Sequence, residues 1–173
     1  MRRGFDSPLL RGRSGPGGRV FAVDMTAEMR AKTEAGAEAL GLTNVTVLEG
    51  FAEDLPVAPG VADVVISNGV INLCPDKQAI FREMYRVLRP GADPRATSRS
   101  TGRFPRRRKT TSELWSAGIA GALLEAEWRQ VLALTGFVDV VMSNEIDVFS
   151  GSKHESDAAE FDTRGVTVFA LEG

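Results

Sequence analysis

Three features of the sequence predict an α/β fold with a mainly parallel sheet. Short β-branched runs alternate with helix-forming stretches along the chain. One run, ADVVIS at 62–67, is nearly continuous in apolar residues, the pattern of a parallel strand covered on both faces. The length, 173 residues, suits one ordinary domain and is short for two.

The elements follow in order. Arg19 to Val23 (RVFAV) reads as a short buried strand ending at Asp24. Thr26 is placed to cap a helix running to about Leu40, with Gly41 as its stop. That stretch is rich in Ala, Glu, Met and Lys, all good helix formers. Asn44 to Leu48 (NVTVL) is a second strand and 62–67 a third. Pro75 and Asp76 open a helix in which Ile80, Met84, Val87 and Leu88 share one face at i, i+4, i+7 and i+8. Arg89-Pro90-Gly91 ends it in a turn. Further on, Ser112 to Leu124 and Glu125 to Leu134 read as helices. Phe137 to Met142 and Val166 to Leu171 read as closing strands.

Charge is unevenly spread. The formal net charge is −2, from 21 basic and 23 acidic side chains. Residues 1–19 hold five Arg and one acid, Asp6. Residues 95–109 hold six Arg and Lys109 with no acid. Nine basic side chains face 22 acidic ones in the remainder. The two basic tracts are rich in Gly, Pro, Ser and Thr and read as loops or disordered segments beside an acidic body. A basic tract attracts phosphates. The acidic body, and the lack of aromatic residues beyond Phe104 in the tract, weigh against nucleic acid as a partner.

Composition excludes several chemistries. One cysteine, Cys74, allows no internal disulfide and no Cys-rich zinc site. One histidine, His154, allows no His-His metal pair, so no metal site is expected. His154 lies in a polar stretch (GSKHESDAAE) and reads as a solvated surface side chain. No apolar run approaches the roughly 20 residues of a membrane helix. The basic start lacks the apolar stretch of a secretory signal. A cytoplasmic protein without membrane contact is therefore expected.

The separation of Gly4 and Asp24 matches a nucleotide-binding arrangement. In doubly wound sheets a glycine-rich turn follows the first strand, and an acid about 20 residues on binds ribose hydroxyls. A carboxylate suits that task because it accepts two hydroxyl protons at once. Asp24 has a second reading, as an acid favoured by the dipole of the helix that follows it. Asn68 likewise reads either as a site residue or as an ordinary strand-ending turn residue.

Two longer blocks carry a family resemblance. VFAVDMTAEMRAKTEAGAEALGLTNVTVLEGFAEDLP (20–56) and ADVVISNGVINLCPDKQAIFREMYRVLRPG (62–91) resemble class I S-adenosylmethionine-dependent methyltransferases. The pieces VDMT, ISNxVINLxPDK and FRExxRVLRPG resemble the arsenite methyltransferase-like branch, as does LWSAGIAGALLEAEWRQVLALTGFVDV (114–140). The resemblance implies a Rossmann-like sheet, S-adenosyl-L-methionine as cofactor, and a small-molecule methyl acceptor. It also implies residue roles. Gly4, with Asp6 beside it, ends the cofactor loop near the methionine part. Asp24 binds the ribose, and Met25 lies against the adenine. Ala52 and Glu53 flank the adenine edge. Asn68 ends the strand whose tip faces the sulfonium and acceptor. No catalytic side chain is assigned, since in-line transfer to a nucleophilic acceptor needs orientation and exclusion of water more than acid–base groups.

The sequence also departs from the branch. Gly69 and Gly118 occupy positions of the arsenic-binding cysteines, and Cys74 stands where serine is usual. One thiol builds no multi-thiolate pocket, so arsenite is not the expected acceptor. Cys74 itself reads as a small buried hydrophobe. Phe51 stands where many class I enzymes carry an acid, which removes one polar contact to adenine. The start is expected to be truncated, without the first strand. The strand after Arg89-Pro90-Gly91 is expected to be replaced by ADPRATSRSTGRFPRRRKT, where Pro94, Pro105 and repeated Arg oppose a central strand. A shifted reading frame between about Ala92 and Thr111 would account for that segment. The expected organisation is a single methyltransferase-like domain over 1–173: a flexible start (1–18), a partial cofactor-binding half (19–91), a basic disordered segment (92–111), and C-terminal helices and closing strands (112–173). Two alternatives stay open beside a methyltransferase: a catalytically incompetent truncated relative with weak cofactor binding, and a nucleic-acid binder acting through 95–109.

Overall fold

A computed structural model describes residues 17–90, 95–101, 121, 123–146, 150 and 165–172. The chain divides into two compact units, Met1–Val57 and Ala58–Gly173.

In the first unit, β1 (Val20–Asp24) and β2 (Val45–Glu49) pair in parallel, with α1 (Ala27–Ala39) as the crossover. The register runs from Val20 opposite Val45 to Asp24 opposite Glu49, so both strands end in an acid at the same level. The predicted elements form within a residue or two of their expected ends. The cap differs from expectation. Thr26 is the N-cap residue, but its hydroxyl makes no capping bond. Its amide donates to Asp24 Oδ1 at 2.8 Å instead, so the acid two residues upstream closes the corner as an Asx-type turn. Gly41, at φ +63°, follows the helix in the left-handed region, as its reading as a stop requires.

In the second unit four strands make one sheet in the order β3-β4-β6-β5. These are β3 (Val64–Asn68), β4 (Arg95–Thr101), β5 (Phe137–Ile146) and β6 (Gly165–Glu172). β3 and β4 are parallel, and β6 lies antiparallel to both β4 and β5. A 3₁₀ turn (Ile71–Leu73) follows β3, and α2 (Lys77–Val87) and α3 (Glu125–Thr135) complete the unit. Asp76 caps α2, its Oδ1 accepting from the Ala79 amide at 2.9 Å. The stripe on α2 is buried as its spacing predicts: Ile80, Met84, Val87 and Leu88 are at most 3% exposed. Phe81 joins them and meets Trp128 of α3 edge to face, centroids 5.3 Å apart. Tyr85 and Phe137 form a second such pair at 5.3 Å. Gly136 ends α3 at φ +110°, and a Cβ there would lie 3.0 Å from the Tyr85 ring. Conformation and contact both ask for glycine at that position.

One segment has a described part that its composition does not signal. The segment after Pro90 was expected to be disordered and to leave the sheet without a strand. Of that segment, Arg95–Thr101 is β4 and lies between β3 and β6, while 91–94 and 102–111 lie outside the described residues. Ladder bonds come from the backbone, and the seven residues Arg95–Thr101 contain no proline. Pro94 precedes the ladder and Pro105 lies beyond its end, so neither removes a donor from it. Repeated Arg does not prevent pairing either, because the ladder bonds are made by the backbone. β3 also differs from its reading as a fully covered strand. Among the described residues it is an outermost strand of its sheet, and Val64 and Ile66 are nearly half exposed. The predicted helix at 112–124 lies outside the described residues up to 120, and Leu124 is the extended N-cap of α3.

Candidate functional site at the carboxyl ends of β1 and β2

Parallel strands put their carboxyl ends on one side, and crevices there are where open α/β sheets hold ligands. In the first unit that edge carries the Asp24–Thr26 corner and the turn after β2. Asp24 is half buried. One carboxylate oxygen is held by the Thr26 amide, and among the described residues the carboxylate has no cationic partner. It therefore offers acceptor capacity to a ligand. Met25, next to it, is 63% exposed. An exposed thioether beside a fixed carboxylate combines an apolar contact with a polar one, which suits a nucleoside.

The neighbouring turn is built tightly. Phe51 and Asp54 form an isolated antiparallel bridge, and the Asp54 amide donates to the Phe51 carbonyl at 3.1 Å. Ala52 and Glu53 sit at the tip of this turn, both half buried. A Cβ on Gly50 would lie 2.5 Å from Pro56 Cδ and 3.1 Å from Val23 Cγ1, so the turn rests closely on β1 and on its own return. Phe51 is 60% exposed, an aromatic face where the resemblance led one to expect an acid.

Sequence reasoning missed Arg30. From the end of the first turn of α1 its Nη1 donates to the carbonyls of Asp24 (3.1 Å) and Met25 (3.0 Å). Its Nη2 pairs with Glu49 Oε2 at 2.6 Å. Its side chain is only 19% exposed. The sequence gives no sign of this, because the pairing needs the β1–β2 register, which sets Glu49 opposite Asp24.

The structure thus brings Asp24, Met25, Ala52 and Glu53 to the carboxyl ends of two paired strands. Asn68 belongs to the second unit, exposed at the carboxyl end of β3. Gly69 follows it at φ +77°. Within that unit Lys77 Nζ donates to the Asn72 carbonyl at 3.1 Å and to the Cys74 carbonyl. Cys74 is half buried, its Sγ donating to the Val70 carbonyl at 3.5 Å. Gly4, Asp6, Gly118 and His154 lie outside the described residues. Among the described residues no cluster of His, Cys, Asp and Glu suits a metal ion.

These features describe the carboxyl edge of a parallel α/β pair, and comparison with known proteins gives the family. Residues 3–136 match the model of a methyltransferase domain, and the chain belongs to that family. It is similar to the arsenite methyltransferase of Halobacterium salinarum, 36% identical over 149 residues, covering 84% of this chain and 38% of the relative. The human arsenite methyltransferase is 33% identical over 142 residues, covering 76% of this chain and 37% of that protein. The chain thus spans well under half the length of these curated relatives. Among solved structures, an arsenic(III) S-adenosylmethionine methyltransferase from Chlamydomonas reinhardtii superposes with a TM-score of 0.71 at 27% identity, over 92% of this chain and 56% of that one. A phosphoethanolamine N-methyltransferase from Haemonchus contortus, solved with S-adenosyl-L-methionine, shares the fold at a TM-score of 0.70 and 18% identity, over 98% of this chain and 53% of that one.

Proposed function

We propose that the chain binds S-adenosyl-L-methionine at the carboxyl ends of β1 and β2 and transfers its methyl group to a small acceptor. The observation that carries this reading is the Asp24 carboxylate, fixed through one oxygen by the Thr26 amide and open to hydroxyl donors. Asp24 takes the ribose hydroxyls, Met25 lies against the adenine, and Ala52 and Glu53 flank the base. Gly4 and Asp6 approach the methionine part, and Asn68 serves the acceptor side; these three roles rest on the resemblance alone. The bound sulfonium supplies the methyl group and the leaving group. The chain's own residues orient and shield, and none is required as a general base.

The acceptor is small, as the arsenite methyltransferase relatives suggest. With Cys74 as the only thiol in the sequence, soft thiolate capture of trivalent arsenic is not supported within one chain, and arsenite is not our choice. We read the two units as parts of one domain, and place the protein in the cytoplasm. No helix among the described residues is long and apolar enough to cross a membrane.

Titration calorimetry with S-adenosylhomocysteine tests the reading. Micromolar binding that Asp24→Ala weakens supports it. Heat-silent titration of a well-folded protein sinks it.

A further inference from the structure

We propose that Arg30 is a positioning residue for ribose recognition, and that Glu49 keeps its charge away from the acid that does the recognising. The inference rests on Asp24 as the ribose-binding acid and adds how that acid is held.

Among the described residues, most arginines in ion pairs lie at the surface. Arg82, Arg89 and Arg129 are 62%, 54% and 49% exposed, and each meets a carboxylate that is itself exposed. Such pairs contribute little. Arg30 is 19% exposed, and its guanidinium meets three acceptors: Asp24 at the end of β1, Met25 just beyond it, and Glu49 at the end of β2. The β1–β2 ladder ends at Asp24 and Glu49. Beyond that point the carbonyls of Asp24 and Met25 turn to the guanidinium. A planar, rigid fork of donors suits this task, and a single ammonium does not reach three acceptors in the same way.

The consequence for Asp24 is geometric. Its carbonyl is held by Arg30, and its carboxylate by the Thr26 amide at 2.8 Å. Backbone and side chain of one residue are pinned from two directions, which fixes where the remaining carboxylate oxygen points. The pinned atoms sit at an exposed corner beside Met25, not in the core. A purely structural clamp has no need to hold that corner.

The electrostatics point the same way. Arg30 touches the carbonyl of Asp24 and not its carboxylate, because its Nη2 is engaged by Glu49 at 2.6 Å. Glu49 thereby prevents the guanidinium from turning onto the Asp24 carboxylate and competing with hydroxyl donors. Glu49 is 75% exposed, so little besides this pairing asks for an acid there.

The test uses the full chain and four proteins: wild type, Arg30→Met, Arg30→Lys and Glu49→Gln. The first measurement is hydrogen exchange at the Thr26 amide without ligand. Arg30→Met is expected to speed it about tenfold relative to the β2 amides, with Arg30→Lys in between. The second is calorimetry with S-adenosylhomocysteine and with its 2′-deoxyribose analogue. Arg30→Met and Glu49→Gln are expected to weaken the first ligand about tenfold and the second less than threefold, so that discrimination between them collapses. Equal losses for both ligands, or unchanged Thr26 exchange, overturn the proposal. If wild type binds neither ligand, the donor-binding reading falls with its ribose role, and the exchange measurement still decides whether Arg30 holds the corner. Should Arg30→Met fail to fold, Arg30→Lys and Glu49→Gln carry the same comparison.

Discussion

At the scale of single residues, the candidate site depends on a few polar bonds at one corner of β1. Hydrogen bonds to a charged acceptor contribute roughly 1.5–3 kcal/mol. Asp24→Asn keeps the shape but loses the charge and half of the acceptor capacity, so affinity for S-adenosylhomocysteine is expected to fall about tenfold or more. A calorimetric dissociation constant within twofold of wild type would contradict this. Cys74 gives the complementary prediction. It is the only thiol, and it faces the Val70 carbonyl. Cys74→Ser is expected to leave S-adenosylhomocysteine affinity unchanged, and wild type is expected to give no methylated arsenic by mass spectrometry. A methylated arsenic product that Cys74→Ser abolishes would reverse our choice of acceptor. Asp24 was legible as a candidate because a strand-terminal acid before a helix is a local pattern. Arg30 was not, because its partners lie on two strands and their alignment is not written in spacing.

At the scale of elements, α2 is the most legible part of the chain. Its apolar stripe, its Asp76 cap and its end at Val87 follow from helical period and capping chemistry. Replacing Asp76 with Ala is expected to cost about 1 kcal/mol. Phe81→Ala opens a hole against Trp128 and is expected to cost roughly 3–5 kcal/mol, a large share of the ~5–15 kcal/mol that holds a domain together. Urea midpoints of the two variants rank the effects, and a Phe81→Ala midpoint above that of Asp76→Ala would refute the packing account. β4 marks the limit of such reading. Arg, Ser and Thr without alternation carry no sheet signal, yet the backbone of Arg95–Thr101 pairs on both sides. Tertiary partners on either side decided that segment, and a single sequence does not display them. β3 shows the converse. Its run of valines and isoleucine suggested cover on both faces, while the strand lies at an edge with Val64 and Ile66 exposed.

At the scale of the molecule, the two units differ in how much they bury. Among the described residues Ala37 is the only buried apolar side chain of the first unit. The second holds Ile71, Phe81, Leu88, Trp128, Leu132 and others at 3% exposure or less. Burial of large side chains is the main stabilising term, so opening is expected to begin in the first unit. The nucleoside-side residues Asp24, Met25, Ala52 and Glu53 lie in that same unit. A ligand held there stabilises it by ~2.7 kcal/mol at a hundred times its dissociation constant. Amide exchange over 20–49 should therefore be faster than over 125–142 in the free protein. S-adenosylhomocysteine should slow the first region far more than the second. Uniform protection across both would speak against a site confined to the β1–β2 edge.

Among the described residues β3 is an outermost strand of its sheet, and this has a practical corollary. An outermost strand with bare valine and isoleucine is adhesive, since its outward amides and carbonyls are a template for any passing extended chain. Ile66→Lys is therefore expected to lower turbidity on concentration relative to wild type, and unchanged turbidity would contradict this.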